Sequence, residues 1–202
     1  MVGYEELRQI IENKVPHYGN NDPEVDAMAN WALSLFANHL KTRQGPRGYY
    51  CGGTFTMTTH IYFGAMMAAT PDGRANGDPL ADAISPRQGF DKNGPTAYIQ
   101  SAAKLPHGDL ANGDQLNIRF GPTSVRGREG TIKLKQLIQT YFDMSGMQVQ
   151  FNVVGTEQLH AAQEDPDKYK NLVVRIAGFS AYFVELDRNL QDDFITRTEQ
   201  SM

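Results

Sequence analysis

The sequence contains a single cysteine, Cys51, among 202 residues. One thiol excludes an internal disulfide and any zinc or iron–sulfur site that needs several cysteines of this chain, and it is typical of a reducing compartment. No run approaches the roughly 20 apolar residues of a membrane helix, and the opening MVGYEELRQI has acidic residues where a signal peptide has an apolar core. We therefore predict a cytoplasmic location without a membrane partner.

Excess positive charge is also missing. The formal net charge is -4 at pH 7, and the Lys/Arg clusters are short, as in Arg126-Gly127-Arg128. This composition excludes nucleic acid as the main partner, because nucleic-acid binding needs a basic patch or stripe. Hydrophobic residues at 40% and charged residues at 21% are typical of a globular protein rather than a disordered chain.

Several motifs with well-defined chemistry are absent. The sequence has no Gly-x-x-x-x-Gly-Lys phosphate loop, no His-Glu-x-x-His zinc pair and no Gly-x-Ser-x-Gly nucleophile turn. The five histidines are scattered singly, and His60, which follows a Thr-rich segment, has no partner visible in the sequence. We predict that this chain binds neither a metal ion nor a nucleotide.

Two helices are predicted near the N-terminus. Tyr4–Lys14 has a helical pattern, and a longer helix follows for which Asp22 is a suitable cap and Pro23 a suitable first residue. The stretch from Gln44 to Gly53 is rich in glycine and resembles a loop. Thr54–His60 is rich in threonine and phenylalanine, which predicts a strand.

The middle of the chain is dominated by turn-forming residues. Thr70–Gly94 is dense in Pro, Gly, Asp and Asn, so we predict a long loop that is ordered by its interspersed apolar residues. Next come a predicted helix at Pro95–Lys104, a strand at Gln115–Phe120 and a helix near Thr131–Ser145.

The second half of the chain alternates predicted strands and helices. The segment MQVQFNVV alternates apolar and polar residues as a strand does, and helices are predicted at Thr156–Asp165 and, shorter, from Asp165-Pro166. Leu172–Ile176 is a continuous apolar run that predicts a parallel strand covered on both sides, and Asp187 can cap a final helix. The pattern predicts an α/β fold with parallel strands.

A glycine interrupts the most apolar part of this half. Gly178 lies within VVRIAGFSAYF, and a glycine in a strand usually marks a bulge, a bend or a close approach of another group. The residues themselves favour a turn at the end of the strand. A second interpretation comes from radical chemistry: flanking amides stabilise a radical at a glycine Cα, a side chain would resist the planar centre, and apolar neighbours would exclude water and oxygen.

Longer segments support the second interpretation. VVRIAGFSAYFVEL, followed by LQDDFITRTEQ, resembles the C-terminal signature of the glycyl radical enzymes, the family of pyruvate formate-lyase, glycerol and propanediol dehydratases, choline trimethylamine-lyase and the arylacetate decarboxylases. The segment from Ala69 to Ala97, ATPDGRANGDPLADAISPRQGFDKNGPTA, is similar to another well-marked segment of that family. The resemblance extends over nearly the whole chain and favours the dehydratase, decarboxylase and lyase branch.

The resemblance implies a fold and a site. The fold would be the C-terminal portion of a ten-stranded α/β barrel, in which residues 1–68 form a helical segment leading into a barrel strand and residues 69–202 form the glycyl radical domain. Gly178 would store the radical, formed after translation and serving as the cofactor. The residues expected to frame its loop are Arg175, Ile176, Ala177, Phe179 and Ser180, with Ile176 standing where the family more often has valine.

A stripe of side chains is expected in the interior of that barrel. If the strands contribute to the barrel wall, side chains on one face of MQVQFNVV and on the predicted Thr54–His60 strand would line the interior and meet substrate. The alternative is that they face solvent. The side chains concerned are Phe55, Met57, Gln148, Gln150 and Asn152.

The resemblance also implies partners. A radical S-adenosylmethionine activating enzyme would form the radical, which would oxidise a cysteine on a missing N-terminal portion or subunit to a thiyl radical that attacks a small organic substrate. Cys51 lacks the expected context for that cysteine. Three interpretations stay open: part of a larger carbon–carbon or carbon–heteroatom lyase, a stand-alone spare-part radical carrier, or a structural module without a radical. For the full enzyme we also expect a homodimer, in the cytoplasm or in a bacterial microcompartment.

Overall fold

A computed structural model describes residues 3–202, which form seven α-helices, seven short strands and two single turns of 3-10 helix. The helices are α1 (Glu5–Lys14), α2 (Pro23–Lys41), α3 (Thr59–Met66), α4 (Gly94–Ala103), α5 (Gly127–Asp143), α6 (Thr156–Glu164) and α7 (Arg188–Thr196). The strands are β1 (Gln44–Gly45), β2 (Gly48–Tyr49), β3 (Asn117–Phe120), β4 (Gln150–Val153), β5 (Val173–Arg175), β6 (Ser180–Tyr182) and β7 (Glu199–Gln200).

The predicted helix starts are confirmed where a cap is present. The Asp22 carboxylate accepts hydrogen bonds from the backbone N–H groups of Glu24 and Val25 at 3.0 and 3.1 Å, and Pro23 is the first residue of α2. Asp187 caps α7 in the same way through Asn189 N–H at 2.9 Å. Both caps satisfy N–H groups that the first turn of a helix leaves unpaired. Within residues 3–202, none of the helices is both long enough and apolar enough to cross a bilayer.

The parallel arrangement predicted for the second half is confirmed in a three-stranded sheet with the order β4-β3-β7. Both strand pairs are parallel, with Asn117 opposite Gln150 and Arg119 opposite both Asn152 and Glu199. Side chains alternate across the sheet. Asn117 and Arg119 therefore share one face of β3, and Ile118 and Phe120 share the other.

Two apolar clusters lie on either side of this sheet. The first joins the apolar residues of β3 to α4 and α5, with Ile99, Phe120 and Tyr141 almost completely buried. The second joins the segment around β5 to α6 and α7, with Leu159 and Phe194 fully buried. The polar face of the sheet thus lies between packed elements, out of contact with bulk solvent.

The strand predicted at Thr54–His60 is wrong. Thr54 makes one isolated parallel bridge with Asp114, after which Met57 and Thr58 have φ angles of 45° and 78° and α3 begins at Thr59. Left-handed backbone cannot continue a strand. The strand preference of threonine and phenylalanine is here overridden by tertiary contacts, such as the hydrogen bond from Thr56 to Asp82 of the central loop.

Three other predictions need correction. Leu172–Ile176 is not a parallel strand covered on both sides, because β5 pairs antiparallel with β6 in a separate hairpin and only its central residue is buried. The chain reverses at Gly178 before a longer strand can form. The second helix predicted at Asp165-Pro166 is a series of turns, and the loop predicted at Gln44–Gly53 contains the two-residue antiparallel ladder of β1 and β2.

The irregular central loop predicted at Thr70–Gly94 is confirmed, with α4 beginning at Gly94. A buried arginine holds it: the Arg74 guanidinium donates to the carbonyls of Asp78 at 2.6 Å, Met67 at 3.4 Å and, closer, Ala68. The loop also lies directly against α3, since a Cβ added at Gly64 would be 2.3 Å from the Asp78 carbonyl oxygen. The loop is therefore a fixed part of the fold.

Candidate functional site

Gly178 lies at the tip of the β5–β6 hairpin. Arg175 pairs with Ser180, and the N–H of Ile176 donates to the carbonyl of Phe179 at 2.9 Å, which closes a four-residue turn. Gly178 is its third residue and has a φ of +78°, a conformation that favours glycine. A Cβ added there would meet no atom within 4 Å. Backbone conformation, rather than crowding, is the local reason for glycine at this tip.

Side-chain amides attach this hairpin to the central sheet. Asn152 of β4 accepts from the Arg175 N–H at 2.7 Å and donates to the Arg175 carbonyl at 2.9 Å. Gln150 donates to the Ile176 carbonyl at 2.7 Å and accepts from the Gly178 N–H at 3.1 Å. Because β5 and β4 belong to separate sheets, these amides replace a backbone ladder between them.

The residues around Gly178 differ in exposure. Ile176 is buried and packs in the second apolar cluster, with Ala177 partly buried against it. Gly178, Arg175 and Ser180 are exposed, and Phe179 keeps 45% of its surface. The apolar shelter predicted from VVRIA and FSAYF is thus not formed within residues 3–202, because alternate residues of the hairpin point away from the core.

The predicted lining residues fall into three groups. Gln150 and Asn152 are buried and contact the glycine hairpin, whereas Gln148 accepts from the backbone N–H of Leu116 at 2.9 Å. Phe55 and Met57 are 47% and 53% exposed on the irregular segment before α3. A role for these side chains in lining a barrel stays a prediction.

A buried charged cluster lies behind the amides. The Arg197 guanidinium is 2.7 Å from Asp193 and 3.0 Å from Asp82. His60 lies between the same two carboxylates, with Nε2 3.3 Å from Asp193 and Nδ1 3.7 Å from Asp82. Asp82 also accepts a hydrogen bond from Asn117 Nδ2 at 2.5 Å, which connects the cluster to the sheet.

The charged groups in this cluster shift one another's pKa values. Burial raises the pKa of Asp193, but the positive charge of Arg197 and contacts with His60 outweigh it and lower the pKa from 3.8 to about 2. Burial lowers the pKa of Arg197, and the carboxylates of Asp193 and Asp82 reverse this, so the pKa is raised. Both groups stay charged at neutral pH, as buried and paired ions do.

Sequence reasoning missed the polar residues of the β3 segment and the partners of His60. Gln115 donates to the Ile176 carbonyl at 3.3 Å, and Asn117 donates to Asp82 rather than to solvent. A signal was present for Gln115 and Asn117, since QLNIRF alternates polar and apolar residues as MQVQFNVV does. No sequence signal pairs His60 with Asp82, because these residues come together only when the central loop folds against α3.

The hairpin thus presents one exposed glycine backbone beside the parallel sheet, to which the side chains of Gln150 and Asn152 attach it. A sequence model described as "Glycine radical" matches residues 80–184, which include the hairpin, and one described as "Pyruvate formate lyase-like" matches residues 2–64. The chain belongs to the glycine radical family. A glycyl radical is the cofactor of that family.

Similar proteins include enzymes of two reaction types. The chain is 41% identical to a trans-4-hydroxy-L-proline dehydratase of Clostridioides difficile over 98% of its own length, and 41% identical to an isethionate sulfite-lyase of Desulfovibrio desulfuricans over 99%. The structure of a glycerol-bound, B12-independent glycerol dehydratase of Clostridium butyricum matches 98% of this chain with a TM-score of 0.94 and 42% identity.

These relatives are much longer than the chain. The matched region is 25% of the C. difficile dehydratase, 24% of the sulfite-lyase and 25% of the glycerol dehydratase. The chain therefore spans about a quarter of the length of the relatives it matches. The structural likeness confirms an α/β unit of a glycyl radical enzyme, whereas a ten-stranded barrel is not seen in the three-stranded sheet of residues 3–202.

Proposed function

We propose that this chain is the radical-storing part of a glycyl radical lyase or dehydratase and that Gly178 carries the radical. The observation that carries the proposal is the hairpin tip: Gly178 lies in the region matched by the family, with its N–H held by Gln150 and its Cα exposed. The framing residues Arg175, Ile176, Ala177, Phe179 and Ser180 hold the turn that presents this Cα.

The residues present fit a radical at this position. A radical centre at Cα is planar and delocalises into both adjacent amides, and glycine has no side chain to resist that geometry. The space around Gly178 is open, and Gln150 already fixes the amide on its N-terminal side. Gly178 would hold the radical, and in a complete enzyme that group would supply the capacity to take a hydrogen atom from a cysteine thiol, with glycine restored and the thiyl radical left on the cysteine.

The cysteine is expected on protein outside this chain. Cys51 is exposed and contacts its own neighbour Gly52, through a weak bond from its thiol to the Gly52 carbonyl at 3.7 Å. Apolar side chains on the outer side of the hairpin are also left uncovered: Val173, Phe179 and Tyr182 keep 53, 45 and 44% of their surface. Exposed apolar groups of this kind mark an interaction surface. A further portion of the enzyme would cover them and exclude oxygen from Gly178.

The names of the relatives suggest the substrate class. The hydroxyproline dehydratase, the glycerol dehydratase and the isethionate sulfite-lyase are named for the loss of water or sulfite from small polar compounds. We infer that the complete enzyme eliminates water, sulfite or a similar group from a small hydroxylated compound. A radical S-adenosylmethionine activating enzyme would form the radical.

Electron paramagnetic resonance tests the assignment of Gly178. The 202-residue chain is incubated without oxygen with the activating enzyme of a related dehydratase, a reductant and S-adenosylmethionine. We expect a doublet, because one hydrogen remains on the radical carbon, and we expect it to collapse when the protein is labelled with glycine deuterated at Cα.

The matched control for Gly178→Ala is Gly89→Ala. Gly89 has the same φ of +78° and equally open surroundings, but it lies in the central loop, outside the hairpin. The doublet should be lost in Gly178→Ala and kept in Gly89→Ala. No doublet in the wild type, or a doublet that survives in Gly178→Ala, would contradict the proposal. Adding the remaining three quarters of a related dehydratase then tests for turnover of its substrate.

A further inference from the structure

A continuous line of hydrogen bonds runs from the buried charged cluster to Gly178. Asn117 Nδ2 donates to Asp82 at 2.5 Å, Gln150 Nε2 donates to Asn117 Oδ1, and the Gly178 N–H donates to Gln150 Oε1 at 3.1 Å. Asn117 and Gln150 are directly opposite each other in the parallel ladder of β3 and β4. Four residues far apart in the sequence are thus joined through three bonds.

The direction of this line is fixed at one end. A side-chain amide can rotate by half a turn and exchange its oxygen and nitrogen with little change of shape, so an isolated amide has no set direction. An ionised carboxylate only accepts hydrogen bonds. The Asp82 side chain lies 3.0 Å from the Arg197 guanidinium and accepts a hydrogen bond from Thr56, so its oxygens are surrounded by donors and Asn117 presents its nitrogen to them.

The orientation of each side-chain amide then determines the orientation of the next one. With its nitrogen toward Asp82, Asn117 offers its oxygen to Gln150, and Gln150 turns its nitrogen to Asn117 and to the Ile176 carbonyl at 2.7 Å. The oxygen of Gln150 is left facing the Gly178 N–H. A reversed Gln150 would bring two N–H donors together at Gly178 and two acceptor oxygens together at Ile176, which leaves buried polar groups unpaired.

The cavity beside this line is too small to make it a substrate site. It measures about 30 Å³ and is lined by Asp82, Asn117, Asn152 and Arg197 among others, which is room for about one water molecule. Sites for small organic ligands are about ten times larger. The polar side chains beside it bond instead to the glycine hairpin and to Asp82.

We propose that Gln150 is a positioning residue for the Gly178 amide and that Asp82, through Asn117, fixes its orientation. The importance of that amide for a radical rests on the proposed function, whereas the positioning can be measured without a radical. Delocalisation of an unpaired electron into the Ala177–Gly178 amide requires the peptide plane to keep one orientation relative to the Gly178 Cα. A defined acceptor at the Gly178 N–H supplies that orientation.

The first test compares two glutamines on the same strand segment. In the 202-residue chain labelled with 15N-glycine, hydrogen exchange of the Gly178 amide is followed by NMR in Gln150→Met and Gln148→Met. Methionine keeps the length of glutamine and removes its hydrogen bonds. We expect exchange at Gly178 to become about tenfold faster in Gln150→Met and to stay unchanged in Gln148→Met, since Gln148 bonds to the Leu116 N–H instead.

The second test addresses transmission along the line. Asn117→Leu removes the bonds that Asn117 makes to Asp82 and to Gln150. We expect at least about threefold faster exchange at Gly178, although Asn117 reaches Gly178 only through Gln150. If this variant does not fold, Asn117→Ser, which is smaller and cannot span both neighbours, replaces it. If exchange at Gly178 is unchanged in a folded Asn117 variant, Asp82 and Asn117 do not fix the orientation of Gln150. If exchange at Gly178 is unchanged in Gln150→Met, Gln150 does not position the Gly178 amide.

Electron paramagnetic resonance tests whether the hydrogen bond from Gly178 to Gln150 affects the radical. In protein activated without oxygen, Gln150→Met should still give a glycyl signal, but with altered splitting and faster decay than the wild type, while Gln148→Met should match the wild type. If the wild type gives no radical, the proposed function fails while the exchange results still stand. A signal in Gln150→Met identical in shape and lifetime to the wild type would overturn the role of positioning in radical stability.

Discussion

The two faces of the parallel sheet are built from the same strands but differ in chemistry. On one face, Ile118 and Phe120 pack against α4 and α5 in an apolar cluster. On the other, Asn117, Gln150 and Asn152 are also buried but hydrogen-bond to the glycine hairpin and the charged cluster. Apolar contacts are non-directional, whereas hydrogen bonds have a direction. The apolar face stabilises the fold, and the polar face orients one backbone amide.

Loss of packing on the apolar face should have the largest effect on stability. Phe120 is completely buried, so Phe120→Ala should lower the free energy of unfolding by about 3–5 kcal/mol in chemical denaturation. Val153→Ala is the control, because Val153 is opposite Phe120 in the ladder but 48% exposed and should cost less than about 1 kcal/mol. Similar losses in the two variants would mean that this face is not the main source of stability.

The charged cluster on the polar face should make stability depend on pH. The folded pKa of Asp193 is lowered from 3.8 to about 2, which corresponds to about 2 kcal/mol of stability that is present above the unfolded pKa. This contribution is lost as the pH falls through about 2. Asp193→Asn should therefore be less stable than the wild type at about pH 5, and the difference should shrink toward about pH 2 in thermal denaturation.

The neighbouring aspartate provides the control for this prediction. Asp192 has a half-exposed side chain and pairs with Arg188 on the surface of α7, whereas the side chain of Asp193 is fully buried. Exposed pairs contribute little, so Asp192→Asn should leave the pH profile of the wild type nearly unchanged. A difference between Asp193→Asn and the wild type that stays constant across this acidic range would refute the assigned pKa shift.

Detaching the hairpin should have a smaller and local effect. Asn152→Leu removes both bonds to the Arg175 backbone, which should cost about 1–2 kcal/mol locally because water can replace part of the lost pairing at an exposed residue. We expect faster amide exchange at Arg175 with little change at Phe120. Equal acceleration at both positions would show that the two faces are not independent.

The smallest effect on stability is expected at the glycine itself. Gly178→Ala meets open space and should cost only about 1 kcal/mol, the strain of a positive φ, as should Gly89→Ala at the same φ. Thermal denaturation of both variants measures this. A loss of several kcal/mol at Gly178 would indicate that glycine is needed for packing and would weaken its assignment to radical storage.

Much of the local structure follows from short-range signals in the sequence. The caps at Asp22 and Asp187 and the alternation in MQVQFNVV depend only on neighbouring residues, and each is present in the structure. The prediction for Thr54–His60 failed because a positive φ at Met57 and Thr58 depends on distant packing. Similarly, the strand predicted at Leu172–Ile176 became half of a hairpin, because a turn at Gly178 competes with a longer strand.

The sequence by itself determined the family, the candidate glycine and the alternation that places polar side chains on one face of each central strand. Only the tertiary structure decided what those side chains contact. Asp82, Asn117, Gln150 and Gly178 are separated by at least 28 residues along the chain and meet because parallel strands bring Asn117 opposite Gln150 while the central loop folds over them. Hydrogen bonds between such distant residues leave no periodic signal, since their geometry is fixed only when the core packs.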